Sequence, residues 1–399
     1  MKGMIINMKI CFITNTVFNL GGVQRVVSVL ANQLSENCEV DILCTNDEIC
    51  IKRDLYNLSP KVNVKLNGNL FSEKVVSKVV RKIFRKINSI TGFFNNNKMK
   101  NVLLGIYYPN EVRNNFIEYL NSKKYDVVIG VEGYYSLLVA IISNELAAKT
   151  IGWQHNSYEA YFKTRNNYYW RQDELFKEYI NKLDRYVVLT EDDKRKMKNH
   201  LNIDCKRIYN PLSFISKCKA ECRNKNIICV GRLVQEQKGF DLLIKAFSKV
   251  AVNNKEWKLK IVGDGPDKEK INQLIQTLNL RNQISMEPFT KKIKKKYLES
   301  SIFVSASRWE GFGLVITEAM ECGLPVIAFA NSGPKEIINR PNQNGILVPR
   351  GDIDALAKMM VNLIKNEEKR KEMSKESIKR ANDFSIDIII NQWNEIINI

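Results

Sequence analysis

The stretch SRWEGFGLVITEAMECGLPVIA, residues 307–328, reads as a two-glycine loop, a short helix, a turn and a buried strand. Glu310 stands directly before Gly311 and Gly313, and Glu318 follows eight residues later, in the second turn of the predicted helix. Glycines let the backbone pass close to a ligand, and the free N–H groups of a helix start attract anions. The stretch therefore predicts a site that offers amides to a phosphate and carboxylates to hydroxyl groups.

On both sides of this stretch the chain alternates between buried strands and amphipathic helices. Strands are predicted at 8–14, 39–44, 62–66, 126–130, 150–153 and 185–189, and again at 227–231, 259–263, 302–305, 326–330 and 345–348. The last helices are predicted at 353–365, 368–382 and 386–397. Such alternation is typical of mostly parallel sheets covered by helices on both faces.

The length of 399 residues is too great for one compact core, so we expect two α/β domains. The first spans residues 1–210 and the second spans 226–383, with a final helix over 384–399. The intervening residues, 211–225, are rich in Lys and Cys and lack periodicity, which is typical of an interdomain linker.

The chain is basic, with a net charge of +19, which favours an acidic partner: nucleic acid, an anionic membrane surface or a phosphorylated substrate. No recognised nucleic-acid module is present, and we therefore expect no nucleic-acid partner. Nine cysteines in a chain this long do not form a disulfide framework, and Cys218 and Cys222 lack the further ligands that zinc requires. We predict no metal site and no cofactor.

No leader peptide and no apolar run of about 18–20 residues is visible, and we expect a cytoplasmic protein, either free or peripheral on the inner face of the membrane. The segment between Ser72 and Asn88 fits the peripheral alternative. It carries an apolar stripe from Val75 to Ile87 that is surrounded by lysines and arginines, with no acidic residue between Glu73 and Glu111. The segment is either a surface helix packed on the core or an interfacial helix on anionic lipid.

A glycine turn, Gly21-Gly22, follows the first predicted strand and opens a helix that runs to about Leu34. A strand, a glycine turn and a helix begin a doubly wound nucleotide-binding unit. The spacing is not G-x-G-x-x-G, so the turn does not predict a dinucleotide cofactor. We expect it to aim the first helix at a ligand cleft.

His155, one of only two histidines, follows the strand predicted at 150–153, and ligands bind at the carboxyl ends of such strands. This position favours a functional histidine. The aromatic residues between Tyr158 and Tyr179 either fill the core or border an acceptor groove.

In the second half, polar residues follow successive strand ends. Arg232 and Lys238 follow the first strand, the Gly263-Asp-Gly turn follows the second, and Glu310 and Glu318 follow a later one. Strand ends of a parallel sheet open onto one crevice, where we expect these groups to meet. Two cations with helix-start amides suit a diphosphate, and carboxylates suit the hydroxyls of a ribose and of a second sugar.

Three motifs carry a family resemblance: GRL with KGFD after it, from Gly231 to Asp241; VGDGP, from Val262 to Pro266; and EGFGL with EAM and GLPVIA after it, from Glu310 to Ala328. The chain resembles glycosyltransferase family 4, whose members retain the configuration of the transferred sugar. The match covers about residues 227–352. One difference is that Arg232 and Lys238 are six residues apart, against five in the commonest form of the motif.

The resemblance implies the GT-B fold, with two Rossmann-like domains facing across a cleft and a C-terminal helix that returns to the first domain. It implies catalytic roles for Glu310, His155, Arg232 and Lys238. It implies a donor-binding set made of Gly21, Gly22, Arg232, Lys238, Gly263, Asp264, Gly265, Gly311, Phe312, Gly313, Leu314 and Glu318.

Within this set, the resemblance places Glu318 on the nucleotide ribose and Glu310 on the transferred sugar and its phosphate. Arg232 and Lys238 hold the diphosphate, which Gly21-Gly22 also approaches from the first domain, and His155 bonds the donor sugar.

The function implied is metal-free transfer of a hexose or N-acetylhexosamine from a nucleotide-diphosphate sugar, most commonly a uridine one, to a glycan or lipid-linked glycan. The basic charge fits surface-polysaccharide synthesis, such as capsule or lipopolysaccharide. A nucleotide-sugar epimerase, a pyridoxal-phosphate-dependent glycan phosphorylase and a basic nucleic-acid-binding protein are the alternatives. Turnover of the donor without acceptor would indicate the epimerase, and a coloured purified protein would indicate the phosphorylase. Salt-sensitive binding to DNA without sugar transfer would indicate the nucleic-acid-binding protein.

Overall fold

A computed structural model describes residues 8–73 and 75–397 of the chain, which divides into two compact units. The first unit consists of residues 1–211 together with 386–399, and the second consists of residues 212–385. Each unit contains one parallel sheet with helices around it.

The first unit has a seven-stranded sheet in the order β3-β2-β1-β4-β5-β6-β7. Its strands are β1 (Lys9–Thr14), β2 (Glu39–Cys44), β3 (Asn63–Leu66), β4 (Val127–Val131), β5 (Lys149–Trp153), β6 (Arg185–Val188) and β7 (Lys206–Arg207). Its helices up to residue 201 are α1 (Gly22–Leu34), α2 (Val75–Thr91), α3 (Lys100–Tyr107), α4 (Asn110–Lys123), α5 (Glu132–Ile142), α6 (Tyr158–Lys163), α7 (Asp173–Tyr179) and α8 (Glu191–Leu201). The central strand β4 is buried along its whole length, as its apolar sequence VVIGV requires.

The second unit has a six-stranded sheet in the order β10-β9-β8-β11-β12-β13. Its strands are β8 (Asn226–Val230), β9 (Lys258–Val262), β10 (Ile284–Glu287), β11 (Ile302–Ser305), β12 (Val326–Phe329) and β13 (Ile346–Val348). Its helices are α9 (Gln235–Lys238), α10 (Phe240–Ala251), α11 (Lys268–Thr277), α12 (Ile293–Leu298), α13 (Leu314–Glu321), α14 (Ser332–Ile337), α15 (Ile353–Lys365) and α16 (Glu367–Asn382).

The last helix, α17 (Ile386–Ile397), belongs to the first unit although it follows the second unit in the sequence. It packs beside α1, and the buried ring of Trp393 meets the ring of Trp153 edge to face, with centroids 4.8 Å apart. A large buried aromatic side chain stabilises a fold by several kcal/mol, roughly 3–5 kcal/mol against alanine. The first unit therefore takes part of its core from the end of the chain.

The predicted α/β class with two parallel sheets is confirmed, and most predicted strands differ from the observed ones by one residue. Two short strands were missed, and one helix start was predicted wrongly. Strands β7 (Lys206–Arg207) and β10 (Ile284–Glu287) were not predicted, because two and four residues are too few for a periodic pattern to stand out from the flanking loops. The motif Asp264-Gly-Pro also predicts a helix with Pro266 at its first position, but Pro266 lies in a turn and α11 begins at Lys268.

The basic helix α2 differs from an ordinary surface helix, which buries its apolar stripe. Lys74 and the side chains of Val75 and Val76 lie outside the described residues. Over the rest of α2 the apolar side chains face outward: Val79 is 56% exposed, Ile83 57% and Ile90 61%. One apolar contact points inward, since the ring of Phe84 packs on the buried ring of Phe94, and the other inward contacts are polar. They come from Arg81, Arg85 and the fully buried Asn88.

Candidate active site

The second sheet changes the direction of its strand order between β8 and β11. Loops that leave the carboxyl ends of two such strands run to opposite sides, which opens a crevice where ligands bind in α/β proteins. Residues 231–234 leave β8 and residues 306–313 leave β11, so the predicted cations and the predicted carboxylate Glu310 lie on the two sides of this crevice.

An ion pair crosses the crevice: Nζ of Lys238 lies 2.6 Å from Oε2 of Glu310. Both side chains are largely buried, and the hydroxyl of Ser307 donates to the same carboxylate oxygen at 3.2 Å. The structure thus brings these two predicted residues into direct contact. Ser307 was not predicted to have a role of its own, although it opens the glycine-loop stretch.

The extra residue between Arg232 and Lys238 is accommodated by a single helical turn. Lys238 ends α9 and donates its backbone N–H to the carbonyl of Val234 at 2.8 Å. Gly239 follows with φ of +62°, a conformation that favours glycine, and α10 begins directly after it. The longer loop therefore still directs Lys238 at Glu310.

Two contacts fasten this turn to the β11 loop. A Cβ on Gly239 would lie 2.0 Å from the carbonyl oxygen of Ala306, so the two backbones meet only because residue 239 is glycine. Arg308 adds a bidentate ion pair to Asp241, at 2.9 and 2.6 Å, and donates to the carbonyl of Gln235 at 2.8 Å. The pairing of Arg308 with Asp241 was not predicted, since 67 positions of sequence separate the two residues.

Arg232 is exposed, and its guanidinium forms no hydrogen bond or ion pair with any residue that the structure describes. The loop that carries Arg232 packs against the predicted Gly263-Asp-Gly turn. A Cβ on Gly263 would meet the carbonyl of Gly231 at 2.0 Å, and one on Gly265 would meet the backbone of Leu233. These two glycines therefore permit close packing of the two loops.

Asp264 lies in the same turn, but its carboxylate is already engaged. It accepts the backbone N–H of Phe289 at 2.7 Å, and Nζ of Lys268 lies 3.7 Å away. Its carbonyl accepts from Leu233 at 2.9 Å. In this structure Asp264 holds the loop that follows β10 against the loop that carries Arg232.

The predicted helix start is present at α13. Gly313 has φ of +108° and lies against Cγ of Glu310, and the helix begins at Leu314 without a side-chain cap. Its first N–H groups are therefore available to an anion beside Glu310. Gly311 is buried, and the ring of Phe312 packs against Phe384, with centroids 5.6 Å apart.

Glu318 lies in the second turn of α13 with only 1% of its surface exposed. Its Oε2 accepts a hydrogen bond of 3.0 Å from the hydroxyl of Tyr297 on α12. Tyr297, a residue that was not predicted, therefore fixes one oxygen of this carboxylate.

The remaining predicted residues lie in the first unit. Gly21 donates its N–H to the hydroxyl of Tyr56 at 2.9 Å, and Gly22 begins α1. No side chain caps this helix start. Gly21-Gly22 follows β1, and His155 follows β5, so both lie at the carboxyl edge of the first sheet.

His155 packs its ring on Trp153, with centroids 4.2 Å apart. Its Nε2 is enclosed and has no hydrogen-bond partner among the described residues. Burial lowers the pKa of His155 to about 3, so its imidazole is neutral at physiological pH. A neutral imidazole with a free nitrogen can exchange a hydrogen bond with a sugar hydroxyl.

Most of the aromatic residues between Tyr158 and Tyr179 belong to the core of the first unit, where Tyr158, Tyr161, Phe162 and Phe176 are buried. The ring of Tyr168 is the exposed exception. Among the described residues, one group of acidic side chains has the spacing of metal ligands: Glu159, Asp192 and Asp193. Lys196 forms ion pairs with the first two, which accounts for the group without a metal.

Comparisons with known proteins agree with this geometry. The model of the glycosyl transferases group 1 family matches residues 216–380, and the model of Glycosyltransferase Family 4 matches residues 20–213. An uncharacterized glycosyltransferase of Haemophilus influenzae is 33% identical over 288 residues, which cover 70% of this chain and 78% of the relative.

Two further comparisons involve Staphylococcus aureus. Its poly(ribitol-phosphate) alpha-N-acetylglucosaminyltransferase is 26% identical over 302 residues, which cover 75% of this chain and 59% of that protein. The crystal structure of a mutant of S. aureus TarM, solved with fondaparinux, alpha-GlcNAc-glycerol and UDP, has a TM-score of 0.76 at 17% identity and covers 98% of this chain and 100% of its own. At that identity the likeness shows a shared fold, and it confirms the predicted GT-B class.

Proposed function

Because the chain belongs to glycosyltransferase family 4, we propose that it moves a hexose or N-acetylhexosamine from a UDP-linked donor to a hydroxyl of a glycan or lipid-linked glycan. Family membership itself makes the chain a hexosyltransferase. The observation that carries the proposal is the contact of Lys238 with Glu310 between β8 and β11, beside the exposed Arg232 and the open start of α13.

The donor assignment is supported by the separation of the two carboxylates. Glu310 faces the crevice beside the cations, while Glu318 lies eight residues on, buried and oriented by Tyr297. In the proposal Glu318 accepts hydrogen bonds from the ribose and Glu310 faces the transferred sugar. Uridine is supported by the UDP in the TarM structure, and N-acetylglucosamine by the name of the S. aureus relative.

The bond-breaking step follows from these positions. The bond between the sugar's reacting carbon and the phosphate oxygen breaks, and negative charge develops on the diphosphate. Arg232, Lys238 and the first amides of α13 stabilise that charge, so we propose that no metal is needed. The acceptor hydroxyl attacks from the face of the leaving group, its proton passes to the leaving phosphate oxygen, and the configuration of the sugar is retained.

We place His155 and Gly21-Gly22 in the same reaction. The neutral imidazole of His155 suits a hydrogen bond to the donor sugar, and the uncapped start of α1 at Gly22 suits a phosphate. These roles rest on the family motif and on the chemistry of each group within the first unit.

The acceptor proposal rests on charge and on the surface of α2. Among the described residues no helix is long and apolar enough to cross a membrane. Helix α2 nevertheless exposes seven apolar side chains: Val79, Val80, Ile83, Phe84, Ile87, Ile90 and the following Phe93. Lys78, Lys82 and Lys86 flank them, and all three are exposed.

This surface of α2 has the composition of an interfacial helix, with an apolar face for the acyl boundary and lysines for anionic headgroups. We therefore propose that the enzyme docks on an anionic membrane surface, the cytoplasmic face of the cell membrane, where a lipid-linked acceptor of surface-polysaccharide synthesis is available.

A donor panel tests the proposed activity. Purified protein is incubated with UDP-linked glucose, galactose, N-acetylglucosamine and N-acetylgalactosamine, and release of UDP is measured with and without EDTA. We expect one donor to be hydrolysed slowly to UDP and its unaltered sugar, at a rate unchanged by EDTA, and to stabilise the protein against heat. Rapid turnover without acceptor that yields an epimer of the sugar would indicate the epimerase instead. The proposal would be contradicted if no donor in the panel released UDP and none stabilised the protein.

A further inference from the structure

Glu132 occupies an unusual place in the first sheet. It follows β4 directly and begins α5, and β4 lies beside β1 where the strand order of that sheet changes direction. This is the position at which open α/β sheets bind their ligands. In the sequence Glu132 is noticeable only as a carboxylate that interrupts the apolar run from Val127 to Ile142.

The backbone of Glu132 is strained, with φ of +65°, a conformation that few residues other than glycine adopt at low cost. Its neighbours enforce this conformation. The N–H of Gly133 donates to the hydroxyl of Tyr161 at 2.9 Å, and a Cβ on Gly133 would lie 2.4 Å from the ring of Tyr169. Strain held in place by surrounding packing is concentrated at functional sites.

The carboxyl group of Glu132 has no hydrogen bond or ion pair with any described residue. The ionisable groups that face it are the hydroxyls of Tyr135, Tyr161 and Tyr169, and burial raises the pKa of each, so all three are uncharged. Burial also raises the pKa of Glu132 to about 7. An acid without a partner in such surroundings is costly to the fold.

His155 lies at the same edge of the sheet. Val131 pairs with Trp153 in the register of β4 and β5, so the residues that follow these strands are neighbours. The hydroxyl of Tyr161 accepts a hydrogen bond from the backbone N–H of Gly133, and the backbone of His155 lies close enough to lower the pKa of the same hydroxyl, so Tyr161 lies between the two loops. The partly exposed Glu132 carboxyl and the enclosed Nε2 of His155 thus lie on two neighbouring loops on either side of one buried hydroxyl.

We propose that Glu132 is a substrate-binding residue that accepts hydrogen bonds from sugar hydroxyls at the carboxyl edge of the first sheet, next to His155. The inference rests on the proposed function and adds one carboxylate to the residues that bind the substrate. The hydroxyls belong either to the transferred sugar of the donor or to the acceptor glycan, which present the same chemistry.

The test compares Glu132→Gln, which keeps the size of the side chain, with the wild type over pH 6–8. For the panel donor that the wild type hydrolyses, we expect kcat/KM of the wild type to rise with pH as Glu132 ionises. Glu132→Gln should lower it at least tenfold at pH 8 and remove the rise. A larger KM for the UDP-sugar assigns the hydroxyls to the donor sugar. Normal donor hydrolysis with impaired transfer to a lipid-linked glycan assigns them to the acceptor.

A second measurement separates binding from a structural role. Glu132→Gly relieves the backbone strain, so its Tm should rise by about 2–4 °C while transfer is lost. The matched control is Lys124→Gly: Lys124 has φ of +52° at the exposed end of α4, and its replacement should raise Tm and leave activity unchanged.

Three results would overturn the inference: wild-type kinetics in Glu132→Gln for both hydrolysis and transfer, a pH profile of Glu132→Gln that matches the wild type in both reactions, or a Tm of Glu132→Gly below that of the wild type. If the wild type releases no UDP from any donor, the proposed function fails instead. The Tm of Glu132→Gly then still shows whether Glu132 lowers the stability of the fold, as expected of a binding residue, or raises it.

Discussion

Lys238 and Glu310 form an ion pair at the place where the proposed diphosphate lies, so donor binding has to break this pair. A carboxylate repels a phosphate, whereas the ammonium attracts it, so Lys238 has to turn from Glu310 to the donor when the donor binds. Release of Glu310 in the same step frees its carboxylate for the sugar. The substrate-free pair thus keeps both side chains in position without an unpaired buried charge.

We expect Glu310→Gln and Glu318→Gln to affect different steps. Glu310→Gln should lower kcat by about 10²–10³-fold with little change in UDP affinity, because its partner charge develops in the transition state. Glu318→Gln should weaken UDP binding by roughly tenfold or more, because a charged hydrogen-bond acceptor is lost. Calorimetric titration with UDP and initial rates separate the two effects. Tyr297→Phe is the control for orientation, with a smaller loss of affinity, and full activity in both glutamate variants would exclude the assignment.

The depressed pKa of His155 predicts that the protein loses stability as the pH falls. The unfolded chain binds a proton below about pH 6.5 and the folded chain does not until about pH 3, so protonation favours unfolding between these values. At about pH 5 the loss is about 2 kcal/mol. His155→Gln removes this ionisation. From pH 7 to pH 5 the unfolding free energy of the wild type should therefore fall more than that of the variant. An equal fall in both proteins would contradict the burial of a neutral imidazole.

At the scale of elements, α9 is a single turn whose position depends on Gly239. Gly239→Ala places a methyl group against the carbonyl of Ala306, and the two loops of the crevice have to separate. We expect a destabilisation of about 2–4 kcal/mol, from the left-handed conformation and the clash together, and a loss of most activity. Gly351→Ala is the matched control: Gly351 has φ of +83°, but its Cβ would have nothing within 4 Å, so it should cost about 1 kcal/mol and keep activity. Equal effects of the two variants would argue against the close approach.

Helix α2 is attached by its polar side and leaves its apolar side in contact with water. Arg85 donates to the carbonyl of Ile106, Arg81 pairs with Glu73 and also reaches that carbonyl, and Asn88 donates to the carbonyl of Arg171 at 2.8 Å. Together with the ring of Phe84 on Phe94, these contacts hold the helix and leave most of its apolar side chains exposed. The free energy gained by covering the apolar face remains available for a membrane.

Binding to vesicles tests this role of α2. Replacement of Lys78, Lys82 and Lys86 by Gln should weaken binding to phosphatidylglycerol-containing vesicles roughly a hundredfold at low salt, since each lysine contributes about 1 kcal/mol. Ile83→Glu should weaken it on neutral vesicles as well. The control replaces Lys365, Lys375 and Lys379 in α15 and α16, which removes the same charge and should leave binding within about threefold of the wild type. Equal losses in the two triple variants would attribute binding to net charge alone.

At the scale of the whole molecule, the last helix completes the core of the first unit. Trp393→Ala removes the ring that packs on Trp153, and we expect it to destabilise the first unit by about 3–5 kcal/mol. Amide exchange should accelerate in β1, β4 and β5 and remain unchanged in β8 and β11. Trp257→Ala, at a buried position of the second unit, is the reciprocal control, and exchange that accelerates equally in both sheets after Trp393→Ala would contradict the assignment of α17.

Much of this enzyme was predictable because its determinants are local. Buried strands such as VVIGV and amphipathic helices such as α15 are specified by short patterns, and so were found within a residue or two. The stretch around Glu310 combines glycines, a helix start and two carboxylates at fixed spacing, so its chemistry was readable as well. The sequence by itself thus determined the two α/β sheets, the glycosyltransferase family and the candidate donor site.

The rest was decided by tertiary structure, because it depends on residues that are distant in the sequence. No local pattern joins Arg308 to Asp241, Tyr297 to Glu318 or Tyr161 to the Gly133 loop; the sheet order brings them together. The same holds for the face that α2 buries, since an amphipathic pattern defines two faces and only the neighbouring residues decide which one turns inward. Glu132 is a further case: it follows a strand predicted from the sequence, as His155 does, but only the fold shows its left-handed backbone and the buried tyrosines around it.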